Sequence, residues 1–270
     1  MIRGQHGFCR LESRSLLPTL VFLPGTLCNR RVWDESVQAI GRDWPSVFVD
    51  VRFETSISAM AVVALEAVDG SIIPIGHSMG GIVALDIWRQ ASERVAAIAL
   101  FDTDAGADTP ERRSKRDAQV SAATQGSLRE MVESQLLPAY FSLTRDSQDS
   151  VHTSQAALRQ TVIEMAIEQG VNAFAAQATA LAGRSDAWHL LDGINVPALI
   201  ACGAEDRICL PETHVRMAAR LPLAMATFRS IAAAGHFAPL EQPEATSRVL
   251  QSWLDGLPCW NARSVRKSVH

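Results

Sequence analysis

Neither sign of charge dominates this 270-residue chain: 25 lysines and arginines face 29 aspartates and glutamates, a formal net charge of −4. Without a basic excess there is no electrostatic footprint for nucleic acid or for an anionic membrane surface. No cysteine pair has C-x-x-C spacing, and the five cysteines (Cys9, Cys28, Cys202, Cys209, Cys259) are odd in number. The expectation is reduced thiols in a cytoplasmic protein rather than a disulfide framework. No apolar run is long enough to span a bilayer, because the stretch from Leu16 to Leu27 is short and broken by Pro18 and Pro24. The first ten residues lack the apolar segment of a signal peptide. Repeats and low-complexity segments are also absent. What is present is 47% hydrophobic and 20% charged, a composition that fits one large globular domain, or a core with a lid-like insertion.

Through the first hundred residues, apolar runs of strand length alternate with helical periodicity. Residues 19–23, 46–51, 71–76 and 94–101 read as strands, and residues 31–40, 57–68 and 80–90 as helices. Residues 1–18 read as a short strand or arm. This alternation predicts a mostly parallel central sheet with helices on both faces. From residue 106 to 194 the rhythm changes to helices alone, over 111–123, 127–136, 154–169 and 171–182. Strands at 196–203 and 224–231 then alternate with helices at 211–221 and 243–254. The expected organisation is therefore a first part of the core (1–105), an inserted all-helical cap (106–194) and a second part of the core (195–270). The tail from 256, with Arg263, Arg266 and Lys267, reads as a solvated end, and residues 111–117 as a solvated helix face.

One stretch carries chemistry. The apolar run ending at Ile75 tightens into Gly76-His77-Ser78-Met79-Gly80 and continues as a helix. A G-x-S-x-G between strand and helix marks a nucleophilic serine, since a turn that sharp leaves no room for side chains at the two glycines. The following helix points its positive end at the serine. A serine hydroxyl also needs a base within reach and a third group to orient that base. Of seven histidines, His236 stands in a glycine-preceded loop after the last strand, at the sheet edge where sites form. His77, beside the serine, reads as structural or pocket-lining; His6, His152, His189, His214 and His270 read as surface or satisfied polar positions. The acid is expected at Asp206, just past the strand that ends near Cys202, with Glu205 pointing elsewhere; Asp104 or Asp102, after the preceding core strand, is the rival. The chain order Ser78, Asp206, His236 is that of one triad-bearing fold and not of the other two common ones.

Together, Leu23-Pro24-Gly25-Thr26, Gly76-His77-Ser78-Met79-Gly80-Gly81, Gly203-Ala204-Glu205-Asp206 and Gly235-His236 resemble the α/β-hydrolase fold superfamily, in its small helical-cap form, over residues 19–255. Pro24 departs from the histidine that many members carry before the glycine. The resemblance implies a carboxylic ester hydrolase with Ser78, Asp206 and His236 as its triad. It implies oxyanion donors at the backbone N–H of Met79 and of Thr26, with Leu27 next, and no metal or organic cofactor. Thioester, lactone or carbon–carbon bond hydrolysis and lyase chemistry, or a ligand receptor that retains the pocket, fit the same constellation. The partner expected is a small-molecule ester, lined by Leu27, Tyr140, Phe141, Phe174 and Phe237, with Met131, Leu136, Leu137 and Trp188 as further apolar candidates from the cap.

Overall fold

The computed structural model describes residues 17–38, 40, 44–143 and 155–260. The expected arm at 1–18 (but for its last two residues), the start of the helix at 154 and the tail from 261 lie outside the described residues. Six strands form one sheet: β1 (Thr19–Leu23), β2 (Ser46–Phe48), β3 (Ile72–His77), β4 (Ile98–Phe101), β5 (Ala198–Gly203) and β6 (Ala226–Ile231). Their order is β2-β1-β3-β4-β5-β6, and every pairing is parallel. In a parallel sheet covered on both faces the strands are apolar throughout, yet alternation still sorts them. Leu20 and Phe22 join one core with Ile73, Ile75, Ala99 and Phe101; Val21 and Leu23 join the other with Ile72, Ile98 and Leu100.

Helices α1 (Asp34–Gln38), α2 (Ile57–Glu66) and α3 (Met79–Ala91) alternate with the first four strands. Ser56 caps α2 by accepting the N–H of Ala59 at 3.1 Å. Between β4 and β5 every regular element among the described residues is helical: α4 (Pro110–Gln125), α5 (Leu128–Met131), a π-turn over Val132–Leu136, α6 (Leu137–Tyr140), α7 (Gln155–Ala182) and α8 (Trp188–Leu191). Thr109 caps α4, with Pro110 in the first turn where its missing N–H costs nothing. Gly170, at φ 81° and ψ 168°, is not helical, so α7 consists of two helical segments that meet there at a kink, as the two expected helices on either side of residue 170 do. Helices α9 (Pro211–Arg220), α10 (Ala238–Glu241) and α11 (Pro243–Asp255) follow.

Three expectations on the fold need correction. Strand β2 stops at Phe48, because it is the partly exposed edge and the chain then turns Val49 and Val51 into the core beside α2. Strand β4 is shorter than 94–101, since residues 92–94 make a 3-10 turn and Val95 touches Ile72 by a lone bridge. Pro74 has no N–H to give, and the β3–β4 ladder accordingly begins beyond it, at Ile75 opposite Ala99. The start of the tail is only partly solvated: Leu257 is buried, and Trp260 stacks on Trp44 with ring centroids 5.4 Å apart.

Candidate active site

Ser78 stands between β3 and α3 at φ 54° and ψ −116°, a left-handed conformation that costs a non-glycine residue about 1–3 kcal/mol. The neighbours hold it there. A Cβ at Gly76 would overlap the carbonyl of Gly80, and a Cβ at Gly80 would overlap the carbonyl of Leu23. Ser78 donates its N–H to Phe101 O at 2.9 Å, and its carbonyl accepts the Thr103 hydroxyl at 2.7 Å. The 13-residue helix α3 starts at Met79, so its positive end meets the serine.

Loops after β5 and β6 bring two partners to the same edge. The Ser78 hydroxyl lies 2.9 Å from His236 Nε2, and His236 Nδ1 lies 2.9 Å from Asp206 Oδ2. The other carboxylate oxygen of Asp206 accepts the N–H groups of Ile208 and Cys209 at 2.7 and 3.0 Å. Burial pushes the Asp206 carboxyl up, but the attraction and hydrogen bond of His236, with these two backbone donors, hold it below the usual carboxylate range. An ionised Asp206 can only accept at this contact, so Nδ1 carries the hydrogen and donates it to the carboxylate, and the Nε2 lone pair is the one that can face the hydroxyl. The rivals are otherwise engaged. Asp104 accepts Gly106 N–H at 2.8 Å and Arg112 at 3.0 Å. Asp102 is fully buried and accepts Gly203 N–H at 2.8 Å. Burial, and then repulsion by Asp206, raise its carboxyl well above the ordinary value.

A sequence profile described as the alpha/beta hydrolase family matches residues 20–249. The chain belongs to the alpha/beta hydrolase family. Pimeloyl-[acyl-carrier protein] methyl ester esterase of Neisseria meningitidis serogroup A is 24% identical over 271 residues, covering 92% of this chain and 81% of its own length. A thermophilic esterase from Thermogutta terrifontis superposes with a TM-score of 0.78 at 24% identity, covering 89% of this chain and 90% of its own. The enol-lactonase from Burkholderia xenovorans LB400 gives 0.74 at 18% identity, over 90% of this chain and 93% of its own. At these identities the structural likeness speaks for the fold.

Around the serine of this alpha/beta hydrolase, several groups act as struts that sequence reasoning missed. Glu241, fully buried, accepts Gly235 N–H at 2.8 Å and Phe237 N–H at 3.3 Å with one oxygen, and Ser142 N–H at 2.8 Å with the other. His236 donates its own N–H to Tyr140 O at 2.7 Å. Arg207 donates to the carbonyls of Pro138 and Phe141, and Glu205 accepts Leu143 N–H at 2.9 Å. The loops carrying Asp206 and His236 are thus both tied to residues 138–143. His77 donates Nε2–H to His236 O at 2.7 Å, and burial, then the neighbouring His236, lower its pKa to about 3. His214 is buried too, and both its ring nitrogens are engaged, Nε2 accepting Thr103 N–H at 2.9 Å and Nδ1–H donating to Leu210 O at 3.1 Å. A signal for Glu241 existed: a lone carboxylate in an apolar stretch five residues after the histidine.

Ser78 opens on a cavity of about 340 Å³, which His236, Thr26, Met79, Tyr140, Phe174 and Phe237 help to line. Two expected lining residues are elsewhere. Leu27, at φ 57°, turns its side chain into the core, and its N–H is taken by Gln177 Oε1 at 2.8 Å. Phe141 is buried against Phe237, ring centroids 6.0 Å apart. Leu136 reaches the cavity, whereas Met131, Leu137 and Trp188 do not. The 111–117 stretch is exposed as expected, except for the half-buried Arg116, but Arg112, Lys115 and Arg116 also border the cavity, where Arg184 and Arg207 join them. Cys28 also lines it, but burial pushes its thiol up to about 12, so it is no nucleophile near neutrality.

Among the described residues, one group has ligand atoms close enough for a metal: Asp206, Cys209 and His236, within 4.8 Å of one another. It fits poorly. The aspartate and the ring already bond each other, and burial holds the Cys209 thiol well above its ordinary pKa.

Proposed function

We propose that this protein is a serine hydrolase of carboxylic esters, with Ser78 as nucleophile, His236 as base and then acid, and Asp206 as the group that orients the ring. The single observation behind this reading is the continuous chain of hydrogen bonds, 2.9 Å from Ser78 Oγ to His236 Nε2 and 2.9 Å from His236 Nδ1 to Asp206. Ser78 attacks the ester carbonyl while His236 takes its proton. The tetrahedral intermediate collapses as His236 returns that proton to the leaving alcohol. Water, deprotonated in turn by His236, then attacks the acyl-enzyme carbonyl, and His236 gives that proton back to Ser78 Oγ as the acid is released. Asp206 stays ionised throughout and stabilises the imidazolium.

The oxyanion is held by the N–H groups of Met79 and Thr26. Both residues border the cavity, and among the described residues neither amide has a hydrogen-bond partner. Leu27 is the weaker candidate, since Gln177 occupies its N–H. Residues 106–194 serve as a cap that contributes Tyr140 and Phe174 to the pocket. The esterase activity named for the Neisseria relative fits this reading, and a cytoplasmic setting fits the unpaired thiols of Cys28, Cys202, Cys209 and Cys259.

The test is a neutral fluorophosphonate probe together with a p-nitrophenyl ester. Wild type should be labelled at Ser78 and turn over the ester many times, and Ser78→Ala should do neither while keeping its fold. Labelling elsewhere, or one slow turnover only, as expected of a ligand receptor, would overturn the reading.

A further inference from the structure

The charge lining the cavity is out of keeping with the chain as a whole. Net charge is −4 overall, yet Arg112, Lys115, Arg116, Arg184 and Arg207 all border the space that Ser78 opens on. The carboxylates that offset them are few. Arg112 is paired with Asp104, 3.0 Å away. Arg116 and Arg184 share a single aspartate: Asp108, with a fully buried side chain, meets Arg116 at 2.7 Å and Arg184 at 3.1 Å. Lys115 and Arg207 have no ion-pair partner among the described residues.

The shared aspartate is the decisive detail. The Arg184 side chain is only 4% exposed, and its Nε–H is spent on Gly106 O at 2.7 Å. Two guanidinium groups beside one carboxylate leave a positive charge uncompensated at a place with little water to screen it. The rest of the wall is mixed: Asp104, paired with Arg112, and Thr26, Thr103 and Gln119 are polar, while Ile82, Tyr140, Phe174 and Leu181 give an apolar stretch facing the same space. Asp108 takes Nε and one terminal nitrogen of Arg116 and one terminal nitrogen of Arg184, so an anion would meet the charge-assisted donors left on Arg116 Nη1 and Arg184 Nη2, and the chain joining it to the ester would lie along the apolar stretch.

We infer that the substrate is an ester bearing an anionic group, a carboxylate or a phosphate, remote from the scissile carbonyl, and that Arg116 and Arg184, with Lys115 at the rim, bind that group. The inference rests on the hydrolase reading above and names its substrate class. A carboxylate and a phosphate present the same chemistry to the arginines, so the experiment separates them.

Three ester series of graded chain length should be compared by kcat/KM: methyl esters of monocarboxylic acids, monomethyl esters of dicarboxylic acids, and acetate esters of ω-hydroxyalkyl phosphates. At the best length, one anionic series should exceed the neutral series by about tenfold or more, and added salt should shrink the gap. Lys115→Met and Arg116→Met should each lower the anionic-to-neutral ratio about tenfold. Arg113→Met, on the same helix but off the cavity, should leave the ratio alone. Lys115 is exposed, which makes its variant the one safest for folding. The readout is a ratio within each variant, so partial loss of stability does not imitate it.

Equal or better use of neutral esters at every length, with Ser78 labelled normally, would overturn the anionic subsite and leave the hydrolase standing. If no ester is turned over and Ser78 is not labelled, calorimetry with free dicarboxylates and with inorganic phosphate tests the subsite directly. Binding that Arg116→Met abolishes supports it, and no binding to wild type refutes it.

Discussion

Replacing Glu241 with glutamine tests whether the histidine loop is held in place by a buried carboxylate. Glu241 accepts three backbone N–H groups, from Gly235, Phe237 and Ser142, and is fully buried. Glutamine keeps one oxygen. If that oxygen serves Gly235 and Phe237, the amide NH₂ faces the N–H of Ser142, donor against donor. Each hydrogen bond to a charged group contributes about 1.5–3 kcal/mol, and losing one while two weaken is partly offset by no longer burying a charge. The net loss should be about 2–3 kcal/mol, which for a chain of this size lowers the melting temperature by roughly 5–10 °C. The functional effect should be larger than the stability effect suggests. His236 sits between two of the bonded amides, and an ångström of drift in a base can cost about a hundredfold in rate. Thermal unfolding by circular dichroism, with kcat on a p-nitrophenyl ester and the rate of fluorophosphonate labelling, would measure both. A melting point within 2 °C of wild type, or kcat within twofold, would refute the strut.

Asp206→Asn should lower kcat by about 10⁴, because an amide no longer selects the productive ring tautomer, while Asp104→Asn should change it little. The reverse ranking would move the acid to the loop after β4. Thr26→Pro deletes the proposed oxyanion N–H and should cost about 10²–10³ in kcat with a smaller change in KM; Thr26→Ala, which keeps the amide, is the control. A folded Thr26→Pro enzyme with wild-type kcat would assign the donor elsewhere. His77, with its pKa lowered to about 3, refuses in the fold a proton that the unfolded chain takes up below about pH 6.5. Its contribution therefore falls as pH drops through that window, by about 1.4 kcal/mol per unit. Asp102, with its carboxyl raised, runs the opposite way, so the effect should be read as a difference. The stability advantage of wild type over His77→Gln, measured by urea unfolding, should shrink from pH 6.5 toward 4. A difference that is flat with pH would mean that His77 titrates normally in the fold.

What the chain alone determined follows from local rules. Apolar runs of strand length mark β1, β3 and β5, and helical spacing marks α2, α3, α9 and α11. The two elbow glycines are legible because a sharp strand-to-helix turn excludes a Cβ: Gly76 is crowded by Gly80 within the same five residues, although Gly80 is crowded by Leu23 of the neighbouring strand. Chain order does not separate Asp206 from Asp104, since both lie between Ser78 and His236. The place just past the strand that ends near Cys202 favours Asp206, and in the structure, with β4 in register beside β5, Asp102 is bonded to Gly203 and Asp104 to Arg112. The remaining features depend on contacts between distant residues. Gln177 reaches the N–H of Leu27 across 150 positions, and Glu241 reaches Ser142 across 99. The same holds for the cavity wall. Arg112, Lys115 and Arg116 sit in a sequence that reads as a solvated helix, because charge at helical spacing looks alike whether it faces water or a pocket. Which face of α4 meets the cavity was decided by Asp108, whose buried carboxylate draws Arg116 and Arg184 together from 68 residues apart.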